Sequence, residues 1–204
     1  MKTIKVLLTI FVLLISVGCR QGYKIDGGNV YYEYWNEAVG QGTRMVAADA
    51  NSFQKIKFDC SCSFDFGKDK KHLFIDGDSI KNIDPNTFRF IGNYMFADKD
   101  SAYFFGFYNN LNTCAVKGID LKKLKLLKYP WSKAGNVLIH GSDTLTLKGD
   151  INQFVPIDED WGKTRSMVIN KSQILIGADP ETFKVINSYS GKDKYHVYEF
   201  GKIK

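Results

Sequence analysis

The chain has 204 residues, a formal net charge of +6 and an aromatic content of 14%. This length suits one folded domain with its own core, and a modest positive charge spread along the chain does not indicate a nucleic-acid partner. Because glycines and prolines divide the sequence into short runs, long helices are not expected.

The first 18 residues have the composition of an export signal. Two lysines precede an apolar stretch from Val6 to Val17, and Gly18 lies directly before Cys19. These 12 residues are too few to cross a bilayer, which needs about 20. A small residue followed by cysteine predicts cleavage before Cys19 and a lipid on its sulfur, whereas ordinary secretory cleavage nearby is the alternative.

Lipidation at Cys19 predicts a cell-envelope protein, and the expected location is the outer membrane, facing the periplasm. Residues 1–18 are therefore assigned as the signal peptide. Residues 19–28 are expected to form the lipidated N-terminus and a polar tether, and residues 29–204 a single β-repeat domain. Within this domain, residues 29–35 alternate well enough to predict the first strand.

Two short motifs recur along the chain. The first is Asp-x-x-x-aromatic or Leu-x-x-Ile or Leu, with spacings of 35, 36, 30 and 29 residues between copies that begin at Asp49, Asp84, Asp120, Asp150 and Asp179. The second is Asp-Lys-x-x-apolar-aromatic-x-x-Gly, and its full copies begin at Asp69, Asp98 and Asp193. Such a period indicates a repeat architecture, because one unit of this size cannot bury its apolar face alone.

Each unit of about 30 residues is predicted to contain short strands joined by turns. Residues 197–200 have the β-branched and aromatic content of a strand, and Gly201 permits a tight reversal. Asp179-Pro180 is typical of a type I turn, or of a one-turn helix with Asp as its N-cap. The sequence therefore predicts an all-β fold of repeated short antiparallel strands, a meander that is solenoid-like or propeller-like.

Aromatic residues recur four places after the Asp of the first motif. They are Phe88, Phe154 and Phe183, with Phe53 and Leu124 in the same slot of other units. A ligand contact has no reason to recur in every unit, whereas a packing residue does, because each unit buries its apolar face on the next. These residues are expected to be equivalent core positions.

The two motifs together carry a resemblance. The second motif reads Asp69-Lys-Lys-His-Leu-Phe, Asp98-Lys-Asp-Ser-Ala-Tyr and Asp193-Lys-Tyr-His-Val-Tyr, and the first appears as Ala178-Asp-Pro-Glu-Thr-Phe. This combination resembles the DKNYY family of bacterial repeat proteins, which are often lipoproteins. The resemblance implies the repeat class and an envelope location, and no catalytic residues carry over from it.

Three cysteines remain after Cys19, namely Cys60, Cys62 and Cys114. In an oxidising compartment, a disulfide from Cys114 to either Cys60 or Cys62 is expected, with buried thiols as the alternative. A metal site would need two ligands beyond the Cys-x-Cys pair, and no Cys or His pair lies at zinc spacing. No metal and no cofactor is predicted.

The segment Leu121–Lys128 is rich in lysine. It is compatible with a basic amphipathic helix on a membrane, but its position in the repeat favours a turn and a strand with solvated lysines.

No short catalytic motif is present, so an enzyme is not predicted. The leading hypothesis is a non-catalytic, lipid-anchored repeat protein that binds a protein partner in the envelope, in an immunity or assembly role. The alternative is a glycan-binding lipoprotein, for which Trp35, Trp131 and Trp161 are the candidate exposed aromatic contacts. A hydrolase assembled from separated residues is the third hypothesis.

Overall fold

The computed structural model of the chain describes residues 21–106 and 114–204. Within these ranges the chain forms 23 short strands in six antiparallel sheets, so the all-β prediction of repeated meander units is confirmed. The described part of the chain contains no helix that is long and apolar enough to cross a membrane. Cys19 and the predicted signal peptide lie outside the described residues.

The first two sheets contain strands in consecutive order, and each strand pairs with its neighbour in sequence. Sheet 1 consists of β1 (Gly22–Asp26), β2 (Asn29–Asn36) and β3 (Gly40–Val46). Sheet 2 consists of β4 (Gln54–Ile56), β5 (Phe66–Lys68), β6 (Leu73–Ile75) and β7 (Asp78–Ile80).

Four further sheets have the same consecutive strand order. Sheet 3 consists of β8 (Arg89–Gly92), β9 (Met95–Ala97), β10 (Ala102–Phe104) and β11 (Ala115–Val116). Sheet 4 consists of β12 (Leu124–Leu126), β13 (Trp131–Ala134), β14 (Val137–His140) and β15 (Asp143–Thr146). Sheet 5 consists of β16 (Val155–Pro156), β17 (Trp161–Lys163), β18 (Val168–Asn170) and β19 (Gln173–Leu175). Sheet 6 consists of β20 (Lys184–Asn187), β21 (Ser190–Lys192), β22 (Val197–Glu199) and β23 (Lys202–Ile203).

The Asp motif precedes the first strand of a sheet, and in two units it forms a short 3-10 helix. These helices are Leu121–Lys123 and Asp150–Gln153, directly before β12 and β16. The lysine-rich segment is therefore one helical turn followed by a strand, as its repeat position predicts.

The predicted tether at residues 19–28 is wrong beyond Gln21. Gly22–Asp26 is strand β1, which pairs antiparallel with β2, and Tyr23 is buried. The sequence pattern of this strand is weak, because the strand is short and is followed by a turn of two glycines, Gly27 and Gly28, which both have positive φ. The sheet structure begins no later than Gly22.

The predicted single domain is divided into two compact units. Among the described residues, the N-terminal unit contains residues 21–57 and Ser63–Asn86, and the C-terminal unit contains Phe58–Cys62 and Thr87–Lys204. Sheets 1 and 2 form the N-terminal unit, and sheets 3 to 6 form the C-terminal unit. The loop after β4 belongs to the C-terminal unit, where Phe58 packs edge-on against Phe88 and Phe96.

Apolar clusters join successive sheets within each unit. One contains Trp131 and Leu138 from sheet 4 with Ile169 from sheet 5, and another contains Trp161 from sheet 5 with Tyr198 from sheet 6. Within each unit, neighbouring sheets therefore bury apolar faces against each other, which is the source of stability expected for repeat units.

The recurring phenylalanine rests on a glycine in the second strand of its sheet. Phe53, Phe154 and Phe183 are each only 7% exposed. A Cβ added at Gly67, Gly162 or Gly191 would lie 2.5, 2.2 or 2.3 Å from the ring of the corresponding phenylalanine, closer than real Cβ contacts. The glycine is therefore required by the ring that covers it.

In two other sheets, different residues occupy the positions of this phenylalanine and glycine. In sheet 4 the smaller Leu124 takes the place of the phenylalanine, and Ser132 in the second strand takes the place of the glycine. The buried hydroxyl of Ser132 has no hydrogen-bond partner. In sheet 3 Phe88 is only half-buried and stacks parallel to Phe96, with ring centroids 5.2 Å apart and planes 2° apart. The core prediction is thus confirmed for Phe154 and Phe183, and only in part for Phe88.

We expect Gly162→Ala to destabilise the protein by about 1–3 kcal/mol, because the added methyl overpacks against Phe154. Phe154→Ala should cost about 3–5 kcal/mol through lost burial and a cavity. The matched control is Ser132→Ala in the equivalent slot, which removes an unsatisfied hydroxyl and should leave stability unchanged or raise it. Urea unfolding measures all three, and an unchanged midpoint for Gly162→Ala would contradict the ring-over-glycine packing.

Candidate functional site: the turn edge of the sheets

The Asp of the second motif is occupied by hydrogen bonds within its own unit. One carboxylate oxygen of Asp193 accepts the backbone N–H groups of Tyr195 and His196, both at 2.7 Å. The other oxygen accepts the backbone N–H of Asp179 at 2.8 Å and the hydroxyl of Tyr198 at 3.0 Å. The Asp193 carboxylate thus links the turn between β21 and β22 to Asp179, in the motif that precedes sheet 6.

The same arrangement occurs in other sheets. Asp69 accepts the backbone N–H groups of Lys71 and His72 at 2.7 Å and that of Asp49 at 3.0 Å. In return, the Ser or Thr of the first motif accepts the backbone N–H of the motif lysine, in the pairs Ser52–Lys70, Thr87–Lys99 and Thr182–Lys194. The two motifs hold each other, and their signature residues are structural.

These donors lower the pKa values of the motif carboxylates. Burial alone would raise the pKa of Asp193, but the N–H groups of Asp179, Tyr195 and His196 and the Tyr198 hydroxyl outweigh it and lower the pKa to about 2. Burial also opposes ionisation of Asp69, and its backbone donors again lower the pKa. Both groups therefore stabilise the folded chain in the ionised form.

We expect Asp193→Asn to destabilise the protein by about 1–3 kcal/mol at pH 7, because hydrogen bonds to a charged acceptor are lost. The folded pKa of about 2 lies below the unfolded value of 3.8, so this contribution is present above 3.8 and is lost as the pH falls toward 2. Urea midpoints of the wild type and the variant should therefore converge in acid. Asp100→Asn, at an exposed carboxylate in an equivalent turn, is the control, and a gap that does not depend on pH would contradict this account.

A second edge of the sheets has constant backbone bonding and variable side chains. There the residue before the second strand accepts a backbone hydrogen bond from the residue after the third strand, at 2.7–3.1 Å in each of five sheets. The pairs are Asp65–Asp76, Tyr94–Phe105, Pro130–Gly141, Asp160–Lys171 and Tyr189–Phe200. Because the backbone alone maintains this geometry, the side chains can change from sheet to sheet. We call these positions the turn-edge pairs.

In the C-terminal unit, contacts of the turn-edge residues and of Tyr129 and His140, which directly precede Pro130 and Gly141, connect the pairs into a strip. The rings of Tyr94 and Tyr129 are 5.5 Å apart. Nε2 of His140 lies 3.7 Å from a carboxylate oxygen of Asp160, which lies 3.9 Å from Nζ of Lys171.

The strip continues into sheet 6. Asn170, next to Lys171, donates a hydrogen bond of 3.4 Å to the carbonyl of Ser188, which precedes Tyr189. We define the turn strip as Tyr94, Tyr129, His140, Asp160, Lys171, Tyr189 and Phe200.

The last pair of the turn strip exposes two stacked rings. Tyr189 and Phe200 have ring centroids 5.0 Å apart and planes 8° apart. Their exposed fractions are 50% and 71%. Phe200 also has φ of +49°, in a Phe-Gly turn of the kind that usually takes Asn-Gly or Asp-Gly. An apolar ring is therefore displayed at a backbone position that disfavours it, which is typical of a contact surface.

The middle of the turn strip is polar. Burial lowers the pKa of His140, whose Nε2 lies 2.9 Å from the carbonyl of Glu159, so the neutral imidazole donates its N–H there. Burial and the nearby carboxylates of Glu159 and Asp160 raise the pKa of Tyr129. Nothing in this arrangement activates a nucleophile. In residues 21–106 and 114–204, no group of three or more His, Cys, Asp or Glu side chains could hold a metal ion.

The turn-edge pair of sheet 2, in the N-terminal unit, is a pair of carboxyl groups. The hydroxyl of Tyr32 lies 3.2 Å from Asp65 and 3.1 Å from Asp76 and also receives a hydrogen bond from Gln21. One hydroxyl proton cannot serve both carboxylates, and burial raises the pKa of Asp76.

Two of the three candidate ligand-contact tryptophans are not at the surface. Trp131 and Trp161 are fully buried, and their indole N–H groups donate to the carbonyls of Asp158 and Asn187 in the following sheets. The prediction that they are exposed contacts is wrong, because both begin the second strand of a sheet and pack toward the next. Trp35 on β2 is 51% exposed.

The cysteine prediction is also corrected. The disulfide joins Cys60 to Cys62, in the loop after β4, with Cα atoms 5.1 Å apart. Cys114 is not its partner, because it is a buried thiol before β11, and burial raises its pKa to about 11. Two cysteines separated by one residue can form a disulfide with each other when their Cα atoms are this close.

The comparisons with known proteins agree with the repeat interpretation. A protein-family model described as the DKNYY family matches residues 23–202, which is most of the chain. No match was found among the curated proteins or among the solved structures.

Proposed function

Since the chain belongs to the DKNYY family, we propose that it is a non-catalytic repeat protein of the bacterial cell envelope, anchored by a lipid on Cys19, that binds a protein partner through the turn strip. An immunity or assembly role fits this activity. Because the motif residues stabilise the fold, we expect recognition of a protein partner to depend on the turn-edge positions, whose residues differ from sheet to sheet.

The stacked pair Tyr189–Phe200 is the observation that carries the partner proposal. Aromatic residues dominate the binding energy of protein interfaces, and rigid rings lose little conformational entropy on binding. The Asp160–Lys171 ion pair at the equivalent turn of sheet 5 supplies polar groups of the kind that surround the apolar centre of such interfaces. An apolar anchor next to charged side chains fits a protein surface better than a small ligand, which would need a concave pocket.

Glycan binding is a weaker proposal. It depends on exposed aromatic rings, and burial removes Trp131 and Trp161 from the candidates. Trp35 alone remains exposed, and a single ring gives little specificity for a sugar.

The partner proposal predicts that Phe200→Asn abolishes or strongly weakens binding without unfolding the protein. Asn tolerates positive φ, and Asn-Gly is the preferred sequence of this turn, so stability should be unchanged or higher. The matched control is Tyr195→Asn, which removes a ring that is 65% exposed but lies outside the turn strip, and it should leave binding unchanged. For a protein captured from cell membranes and then purified, Phe200→Asn should weaken binding about tenfold or more, as loss of an interface anchor does.

Photocrosslinking locates the contact independently. A photoreactive residue in place of Tyr189 should give a discrete adduct with a membrane protein, whereas one in place of Tyr195, which is 65% exposed but outside the turn strip, should not. Equal adducts from both positions, or full binding by Phe200→Asn, would show that the turn strip is not the contact.

The anchor has its own prediction. Cys19→Ser should move the protein from the membrane fraction to the soluble fraction, because the thioether lipid can no longer form. Fatty-acid labelling of the wild type and mass spectrometry of its N-terminal peptide provide the direct measurement. A wild-type chain that carries no lipid, with partitioning unchanged in the variant, contradicts the anchor.

A further inference from the structure

The β2–β3 hairpin extends past the end of strand β1. The first residue of β1, Gly22, pairs with Glu33. Beyond that point β2 and β3 pair only with each other, through Tyr34–Gly42, Trp35–Gln41 and Asn36–Gly40. Three further residue pairs correspond to a projection of about 10 Å. We call residues 34–42 the hairpin tip.

The start of β1 and the hairpin tip lie at the same end of sheet 1. Since β1 is antiparallel to β2, the chain that precedes Gly22 leads toward the end where the hairpin tip projects. Cys19 is three residues before Gly22, so covalent geometry keeps its sulfur within roughly 10–15 Å of the start of β1. A lipid there would hold the hairpin tip close to the bilayer surface.

The hairpin tip displays apolar side chains on an ordered backbone. Trp35 is 51% exposed and Val39 is 72% exposed. The ring of Tyr34 covers Gly42, where an added Cβ would lie 2.5 Å from the ring, and this contact fixes the two strands. Asn36 accepts the backbone N–H of Ala38 with its side chain and that of Val39 with its carbonyl. Internal bonding of these groups reduces the cost of bringing the tip into an apolar environment.

The charges at this end limit how deep the tip can enter. Glu37 lies at the reversal of the hairpin, is exposed, and is the one charged residue among residues 34–42. The hairpin tip itself therefore contributes no lysine or arginine for anionic lipids and has one carboxylate that must stay hydrated. Tryptophan itself prefers the headgroup level of a bilayer. These features fit shallow contact with a zwitterionic phospholipid surface.

We propose that the hairpin tip is a membrane-surface contact, in which Trp35 and Val39 enter the interfacial layer of the phospholipid bilayer. It rests on the proposed lipid anchor, and it adds a second membrane signal to the lipid on Cys19. Two signals hold a peripheral protein more stably than one acyl chain. The contact also fixes the orientation of the N-terminal unit, because the lipid and the tip attach it at two points.

The cysteine chemistry allows the lipid to be installed by hand, so the contact can be tested whether or not cells lipidate Cys19. Cys60 and Cys62 are joined in a disulfide, and Cys114 is buried with a raised pKa, so a maleimide reacts selectively with Cys19. The chain beginning at Cys19 is coupled to a single-chain acyl maleimide and mixed with phosphatidylcholine and phosphatidylethanolamine vesicles. Mass spectrometry confirms one label per chain.

Tryptophan fluorescence then reports the tip. Trp131 and Trp161 are fully buried, so brominated lipids should quench only Trp35. Up to about one third of the emission should be lost, because one of three tryptophans contacts lipid, and bromines near the headgroup end of the acyl chain should quench most. Trp35→Phe should remove the quenching. Trp35→Ala should lower vesicle partitioning about three- to tenfold.

The matched control is Tyr195→Ala, at an aromatic of the C-terminal unit that is even more exposed (65% against 51% for Trp35), and it should leave partitioning unchanged. The absence of quenching in the acylated chain overturns the contact even if native Cys19 carries a lipid. A response of Trp35 to cell-wall oligosaccharides but not to brominated lipid overturns it in favour of a glycan. Absence of lipid on native Cys19, together with quenching in the acylated chain, overturns the anchor and leaves the contact supported.

Discussion

In sheets 2, 3 and 6, the hydrogen bonds accepted by the motif carboxylates hold the repeat together. A sheet of four strands with two to four residues each has too few backbone bonds to be stable alone. Asp193 adds bonds to its own turn and to the Asp179 turn, so the segment that enters the sheet is tied to the sheet itself. The phenylalanine after that segment is then placed over the glycine of the second strand. In sheet 6, ring packing and backbone closure therefore involve the same carboxylate.

Successive sheets in the C-terminal unit are joined by apolar clusters and by side chains that bond the next backbone. Trp131 and Trp161 donate to carbonyls of the following sheet, as does Asn170. Bonds to backbone carbonyls place few demands on the sequence of the neighbouring turn. Neighbouring turns can therefore change residues while the stack is kept, which explains how aromatic, ionic and proline-containing pairs occupy one edge of otherwise equivalent sheets.

Much of this fold follows from the repeat pattern. The spacing of the Asp motifs predicted the short antiparallel strands and the burial of Phe154 and Phe183. Trp131 and Trp161 are 30 residues apart and both begin a second strand, so they recur with the repeat as the buried phenylalanines do, and their recurrence indicates packing positions rather than ligand contacts. Strand β1 does not follow from the pattern, because a strand of five residues next to a double-glycine turn shows little alternation of apolar and polar residues. The turn strip required coordinates, because its members are adjacent only through the register of the sheets.

The last described sheet shows that its exposed rings are not simply an uncovered packing face. In sheet 5 the residues that pack toward sheet 6 are Trp161, Val168 and Leu175. The strand registers place Ser190, Val197 and Lys204 at the equivalent positions of sheet 6, and Lys204 pairs with Glu199 at 2.8 Å. Polar residues thus replace the two largest apolar ones on that face, as in the capping repeats of solenoid proteins. Because the face itself is made polar while Tyr189 and Phe200 stay exposed at the turn edge, these rings are not part of an apolar packing face, which supports the proposed contact at that edge.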